Sequence, residues 1–248
     1  MNAQTLEMLS KMKLTGMARS FRTSLESGKL NELTADELIH FLVESEWDER
    51  YNRKLQRTLK QARFRYKASV EHLNFDNNRL DKNLVLRLAD CNFIKRKENI
   101  LITGSTGIGK SYLASAIGHQ ACSLGHKVMY QHSTKMFARL KMAKADGSYI
   151  KEIARIEKQD LLIIDDFGIN PLDAQNRSSL MEIIEDRHGK TSTIIASQVP
   201  IAKWHGIIGE ETIADAILDR IVHDSYRIEL KGESLRKKRE IKTETEIN

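Results

Sequence analysis

Apolar positions recur every three or four residues over Thr5–Arg22, Ala35–Phe64 and Leu80–Cys91, the period of helices that bury one face. The first 103 residues hold no proline and only two glycines, Gly16 and Gly28, a composition that suits helices. The second helix opens with Thr34-Ala-Asp-Glu37, a spacing at which hydroxyl and carboxylate can each satisfy a free backbone N–H. Lys67–Leu80, rich in Asn and Asp, reads as a connection into a second domain. From Glu98 the pattern changes. Asn99–Thr103 is a short β-type run, followed by a helix to Leu124 and a second run at Lys127–Gln131. After two more helical stretches come Leu161–Ile164, a helix over Ala174–His188, and Thr191–Ala196. A helix over Thr212–His223 and a last strand at Tyr226–Leu230 complete the series. Strands alternating with helices predict a parallel sheet with crossover helices, an α/β layered domain. There is no internal repeat, and residues beyond Lys237, charged and aperiodic, are expected to fray.

Composition narrows the class. Of the 248 residues 40% are hydrophobic and 30% charged, enough for a full core in a soluble chain. No run approaches the ~18 apolar residues of a membrane span, and the start of the chain has no apolar signal segment. The two cysteines, Cys91 and Cys122, occur without CxxC or HExxH spacing. A disulfide scaffold or zinc site is not expected, and a reducing cytoplasm fits.

The net charge of +6 is unevenly placed: residues 1–97 carry 19 basic and 13 acidic side chains, residues 98–248 carry 21 of each. Arg50 to Lys67 contains eight basic residues and no acid. On a helix Arg50, Arg53, Lys54, Arg57 and Lys60 form one stripe, with Tyr51, Leu55, Leu59, Ala62 and Tyr66 opposite. Such a stripe is either a solvated face or a track for a phosphate backbone, and the asymmetry of charge points to nucleic acid.

The clearest chemistry lies after the first β-type run. Gly104-Ser105-Thr106-Gly107-Ile108-Gly109-Lys110-Ser111 matches GxxxxGK[ST] between a strand and a helix, the context that motif requires. The glycines let backbone N–H groups wrap phosphate oxygens at a helix N-terminus. Lys110 is expected to reach the β- and γ-phosphates of ATP, and Ser111 to hold Mg²⁺. Leu161-Leu-Ile-Ile-Asp165-Asp166 is a buried strand ending in acids. Asp165 is the expected second Mg²⁺ ligand; Asp166 is either a general base for water or the cap of the next turn. Both sequences belong to the carboxyl rim of one sheet.

These residues resemble an IstB-type AAA+ ATPase, a helper of insertion-sequence transposition related to DnaC-type helicase loaders. The similarity runs through Leu-Thr-Gly-Met-Ala at 14–18, the cradle and Asp165-Asp166-Phe-Gly. It continues through Ile-Ala-Ser-Gln at 195–198, Lys203-Trp-His, Gly-Glu at 209–210, Ala214–Arg220 and Leu230–Lys238. It implies an ASCE-type P-loop sheet over 71–240, a small helical domain over 1–70 and a disordered tail over 241–248. It also implies that the 191–196 strand lies between the cradle strand and the Asp165 strand. Ser197 or Gln198 then occupies the sensor position, Arg220 matches an arginine finger acting on a neighbouring subunit, and Arg236 matches a second sensor. Two departures stand out: Gln198, where Asn is common, and Asp166, where many members have the longer Glu.

The resemblance implies an ATP-dependent helper that oligomerises on duplex DNA, as ring or filament, and regulates or recruits a transposase. A DnaC-like helicase loader that prefers single strands is the alternative. A scaffold that binds ATP without hydrolysing it, and a small-molecule kinase, are the remaining readings. The paired acids and two later arginines disfavour the kinase.

Overall fold

The computed structural model describes residues 2–28, 32–73, 75, 80–232 and 234. The chain divides into two compact units, Met1–Arg57 and Thr58–Asn248. The division falls inside a helix, whereas the sequence suggested a boundary near residue 70.

The first unit holds α1 (Asn2–Lys11), α2 (Thr15–Glu26) and most of α3 (Ala35–Ala62). The single helix expected over Thr5–Arg22 is therefore two, broken at Met12–Leu14 with Lys13 in the left-handed region at φ +60°. A tertiary contact sets the restart. Glu46 of α3 accepts hydrogen bonds from the Gly16 and Met17 N–H groups at 2.7 and 3.3 Å, satisfying donors at the new helix start. Gly16 is required there, because a Cβ would lie 2.4 Å from the Ser45 carbonyl oxygen. The Thr34–Glu37 capping box forms as its spacing predicts: Thr34 N–H donates to Glu37 at 2.8 Å and Glu37 N–H to Thr34 Oγ1 at 3.3 Å. Helix α3 stops two residues short of Phe64, where Arg63 turns left-handed at φ +59°, so Tyr66 is not on its apolar face.

In the second unit, α4 (Lys82–Ala89) is capped by Asp81 and followed by an unforeseen short helix, α5 (Asn92–Arg96). The predicted alternation then appears. It comprises β1 (Asn99–Gly104), α6 (Lys110–Ser123), β2 (Val128–His132), α7 (Ser133–Asp146), α8 (Tyr149–Glu157) and β3 (Leu161–Phe167). Next come α9 (Ala174–Arg187), β4 (Ser192–Ser197), α10 (Trp204–Ile208), α11 (Glu211–Val222) and β5 (Ser225–Leu230). All pairings are parallel, in the order β2-β3-β4-β1-β5, so β4 lies between β1 and β3. Helices cover both faces. Leu101, Met129, Leu162, Ile164 and Ile195 pack in one core with residues of α7 to α11. On the other face α6 lies so close that a Cβ on Gly118 would sit 2.7 Å from Ile163. Burial on both sides explains the continuous apolar runs of the inner strands β1, β3 and β4, whereas the edge strand β5 is partly exposed and alternates toward its end.

Arg187, 2% exposed, stitches the lower ends of these layers by donating to the carbonyls of Ile156, Gln159 and Ser192 and to Thr193 Oγ1. Among the described residues no helix is long and apolar enough to cross a membrane.

Candidate nucleotide-binding site

At the carboxyl end of β1 the chain turns through Gly104, Gly107 and Gly109 at φ +146°, +78° and +109°. These are backbone angles that glycine alone adopts readily. Gly104 also admits no side chain, since a Cβ would be 2.5 Å from the Leu230 carbonyl oxygen on β5. The loop delivers the chain to the N-terminus of α6, a 14-residue helix whose first N–H groups and dipole favour anions. Lys110, 5% exposed, lays its Nζ on the Gly104 and Ser105 carbonyls at 2.8 Å each. Burial pulls its pKa down, against the opposing charges of Asp166 and Asp165.

Asp165 is fully buried at the tip of β3. Its Oδ1 accepts from Ser111 Oγ at 2.9 Å and its Oδ2 from the Tyr130 hydroxyl on β2. Burial first, and then the neighbouring Asp165, raise the Tyr130 phenol well above its usual range, so it stays a donor. Between Ile164 and Phe167 the register with β4 slips, Asp165 and Asp166 of β3 facing Ala196 alone, and Asp166 there adopts φ +55°. In a regular strand adjacent side chains point to opposite faces. Here the extra residue breaks the alternation, and both carboxylates reach one guanidinium. Arg65 Nη1 is 3.9 Å from Asp165 Oδ2 and 3.3 Å from Asp166 Oδ2. Asp166 Oδ2 also lies 3.3 Å from His132 Nε2, and its Oδ1 lies 3.5 Å from Gln198 Nε2. The other ring nitrogen of His132 is buried without a partner among the described residues.

The two sensor candidates are used differently. Ser197 is buried, its hydroxyl spent on the Phe167 carbonyl at 2.7 Å and the Val199 N–H at 3.0 Å. Gln198 instead faces the cradle, its Oε1 accepting from Thr106 Oγ1 at 2.6 Å. Ile108 packs inward and Ser105 is exposed. Arg220 is elsewhere. Near the end of α11, its guanidinium reaches the Ala216 carbonyl at 2.8 Å and Glu185 at 3.3 Å, while its own carbonyl accepts from Asn99 at the start of β1. Five strand residues, at ~3.3 Å each, set that end roughly 17 Å from the cradle end of β1. Arg236 lies outside the described residues.

On the basic stripe, Arg50 and Arg53 are compensated one turn earlier by Glu46 at 2.7 Å and Glu49 at 3.2 Å, and Arg53 also donates to Thr15. Arg57 and Lys60 are exposed. The stripe is thus less cationic at its first half than the acid-free run from Arg50 suggests.

Arg65, Tyr130 and His132 were not singled out from the sequence. Arg65 was hidden in the basic run, and nothing in spacing pairs it with an acid 101 residues away. The β2 residues carried a signal, since rim positions of parallel strands are where ligands sit. In the β2–β3 register His132 stands opposite Asp165.

A glycine cradle at a helix N-terminus, a buried lysine on its rim and a pair of acids on β3, beyond the intervening β4 of an all-parallel sheet, define a P-loop nucleotide-binding protein. Residues 7–243 match the family of IstB-like ATP-binding proteins, and the chain belongs to that family, a P-loop ATPase. It is 44% identical to a putative insertion sequence ATP-binding protein, y4pL, of Sinorhizobium fredii, over 94% of this chain and 96% of that one. It is 31% identical to the insertion sequence IS21 putative ATP-binding protein of Pseudomonas aeruginosa, over 93% and 88%. The fold is shared with the DnaC helicase loader, at TM-score 0.56 and 20% identity over 67% of this chain and 98% of that one. It is also shared with AMPPCP-bound DnaA from Aquifex aeolicus, at 0.58 and 22% over 74% and 56%.

Proposed function

We propose that this chain is a transposition helper that binds Mg²⁺·ATP in the cradle, assembles head to tail on duplex DNA, and regulates or recruits a transposase. The donor set fits the metal. Ser111 and Asp165 are two hard oxygens 2.9 Å apart at the mouth of the cradle, and Mg²⁺ commonly takes one or two protein oxygens plus substrate phosphates. When bound, the ion neutralises charge on the β- and γ-phosphates. Lys110 shifts from loop carbonyls to phosphate oxygens, and the loop N–H groups and α6 hold the rest of the polyphosphate. Gln198, between Thr106 and Asp166, orients the attacking water. As that water bonds to the γ-phosphorus and the bond to the β-phosphate oxygen breaks, Asp166 accepts the proton and ADP departs with both electrons of the broken bond.

The observation that carries the assembly is the place of Arg220. Roughly 17 Å of strand separates it from its own cradle, so it can act on an ATP only across a subunit junction, a heterologous contact that gives a ring or filament. The insertion-sequence context of relatives at 31–44% identity favours a transposase client over a helicase, because the helicase-loader likeness extends to the fold alone. Exposed Arg57 and Lys60, with Arg50, Arg53 and Lys54, supply the DNA-facing charge.

Steady-state ATP hydrolysis with no DNA, with duplex and with single strands, over a range of protein concentrations, tests the proposal. Turnover should be stimulated by duplex and rise more than linearly with protein, and Arg220→Ala should abolish the excess. Preference for single strands would favour the helicase loader. ATP binding without turnover would leave a nucleotide-held scaffold. Reversing charge at Arg53, Arg57 and Lys60 should weaken DNA binding at unchanged ATP affinity.

A further inference from the structure

The guanidinium of Arg65 stands where two acids of the site converge, and the chain holds it there from both sides. Before it, Ala62 is fully buried and Arg63 takes the left-handed turn that ends α3. Phe64 then packs on α6 and β2, its ring centre 4.3 Å from that of His119 and 6.2 Å from that of Tyr130. The seat exists because residue 118 is glycine: a Cβ there would lie 2.5 Å from the Phe64 ring. After it, Tyr66 lies against Tyr112 and beneath the guanidinium, 5.4 Å from ring centre to Arg65 Cζ. Ala68 and Val70 are buried again. Packing on both flanks fixes the backbone at Arg65, so that only its own side-chain torsions remain to be ordered when it meets the acids.

The consequence lies in what Asp166 has left to offer. Arg65 and His132 both approach its Oδ2, and Gln198 approaches its Oδ1. Both oxygens of Asp166 are thus engaged by neighbouring side chains, and Arg65 is the one among these three partners that carries a permanent charge. Arg65 also stands 3.9 Å from Asp165, the metal-side acid, and so acts as a resident cation beside carboxylates that a divalent ion needs.

We propose that Arg65 is a self-restraining positioning residue. Its guanidinium holds Asp166 and screens Asp165, and it must be drawn aside for Mg²⁺·ATP to be bound and water to be activated. The restraint keeps turnover low until the site is filled and ordered. It rests on the reading of Asp165 and Asp166 as the metal-side and water-side acids.

The test uses the full chain and a fluorescent ATP analogue, mant-ATP, titrated with Mg²⁺, alongside steady-state turnover. Arg65→Gln should lower the Mg²⁺ concentration at half-maximal binding about fivefold and raise DNA-free turnover by a similar factor. That factor corresponds to ~1 kcal/mol, the upper range for a partly exposed ion pair. Arg65→Lys, which keeps the charge on a single donor, should fall between the two and serves if the Gln variant folds poorly. In an Asp166→Asn background the Mg²⁺ effect of Arg65→Gln should shrink, as coupled partners require. An unmoved or higher Mg²⁺ requirement, slower turnover, or an undiminished effect in the Asn background would each overturn the restraint. A slowdown in particular would make Arg65 a phosphate ligand. Failure of the underlying reading looks different: Asp166→Asn alone would then retain turnover.

Discussion

Tyr130→Phe isolates one hydroxyl in the hydrogen-bond network around Asp165. Tyr130 is 6% exposed and Phe keeps the ring, so no apolar burial is lost. What disappears is, among the described residues, the one donor on Asp165 Oδ2 other than the more distant Arg65. Asp165, fully buried, keeps Ser111 on its other oxygen. A hydrogen bond to a charged group contributes about 1.5–3 kcal/mol. At about 2–4 °C per kcal/mol for a unit of this size, the nucleotide-free melting temperature should fall by roughly 3–12 °C. The two tryptophans make the readout specific. Trp47 is 73% exposed and already emits from water, whereas Trp204, fully buried against Phe167 in the second unit, reports its unfolding. Saturating Mg²⁺ with a non-hydrolysable ATP analogue should restore much of the loss, because a cation beside Asp165 replaces the missing donor. A melting temperature within 1 °C of the parent, or a loss that Mg²⁺·nucleotide leaves untouched, would refute this account of Asp165.

Three further outcomes follow from the same geometry. Lys110→Ala should weaken ATP binding by at least about tenfold, the scale of one lost charge-assisted contact, measured by mant-ATP fluorescence; unaltered affinity would remove the lysine from the phosphate site. Gly118→Ala should unseat Phe64, costing about 1–3 kcal/mol of stability and speeding tryptic cleavage after Arg63 and Arg65, which mass spectrometry of the fragments would read. Glu46 gives a pH dependence. Burial works against its charge, but Arg50 and the Met17 and Gly16 N–H groups outweigh it and hold its carboxyl below the usual range. Its contribution is therefore present above the ordinary value of about 4.3 and fades as pH falls through the depressed one. Glu46→Gln should cost about 1–3 kcal/mol at pH 7 in urea unfolding followed by circular dichroism, with the gap closing toward pH 3. A pH-independent gap would assign the cost to packing instead.

Apart from the short helices α5 and α10, the alternation of strands and crossover helices, the cradle with Lys110 and Ser111, and the acid-tipped strand were legible in the sequence. Each is written in consecutive residues: a period of 3.6, a continuous apolar run, a glycine spacing, a capping box between Thr34 and Glu37. Where a contact joins distant residues the sequence was silent. The break between α1 and α2 is set by Glu46 reaching Gly16 across thirty residues, and local periodicity reads straight through it. Ser197 and Gln198 are neighbours of similar polarity, and only the folded end of β4, opposite the bulge in β3, holds one in backbone contacts and turns the other toward Thr106. The same bulge makes two adjacent acids converge, and Phe64 brings a linker arginine to meet them. Sequence spacing thus determined the chemistry the cradle can perform. The folded layers decided which side chains restrain and complete it, because such partners are chosen by packing in space and not by position along the chain.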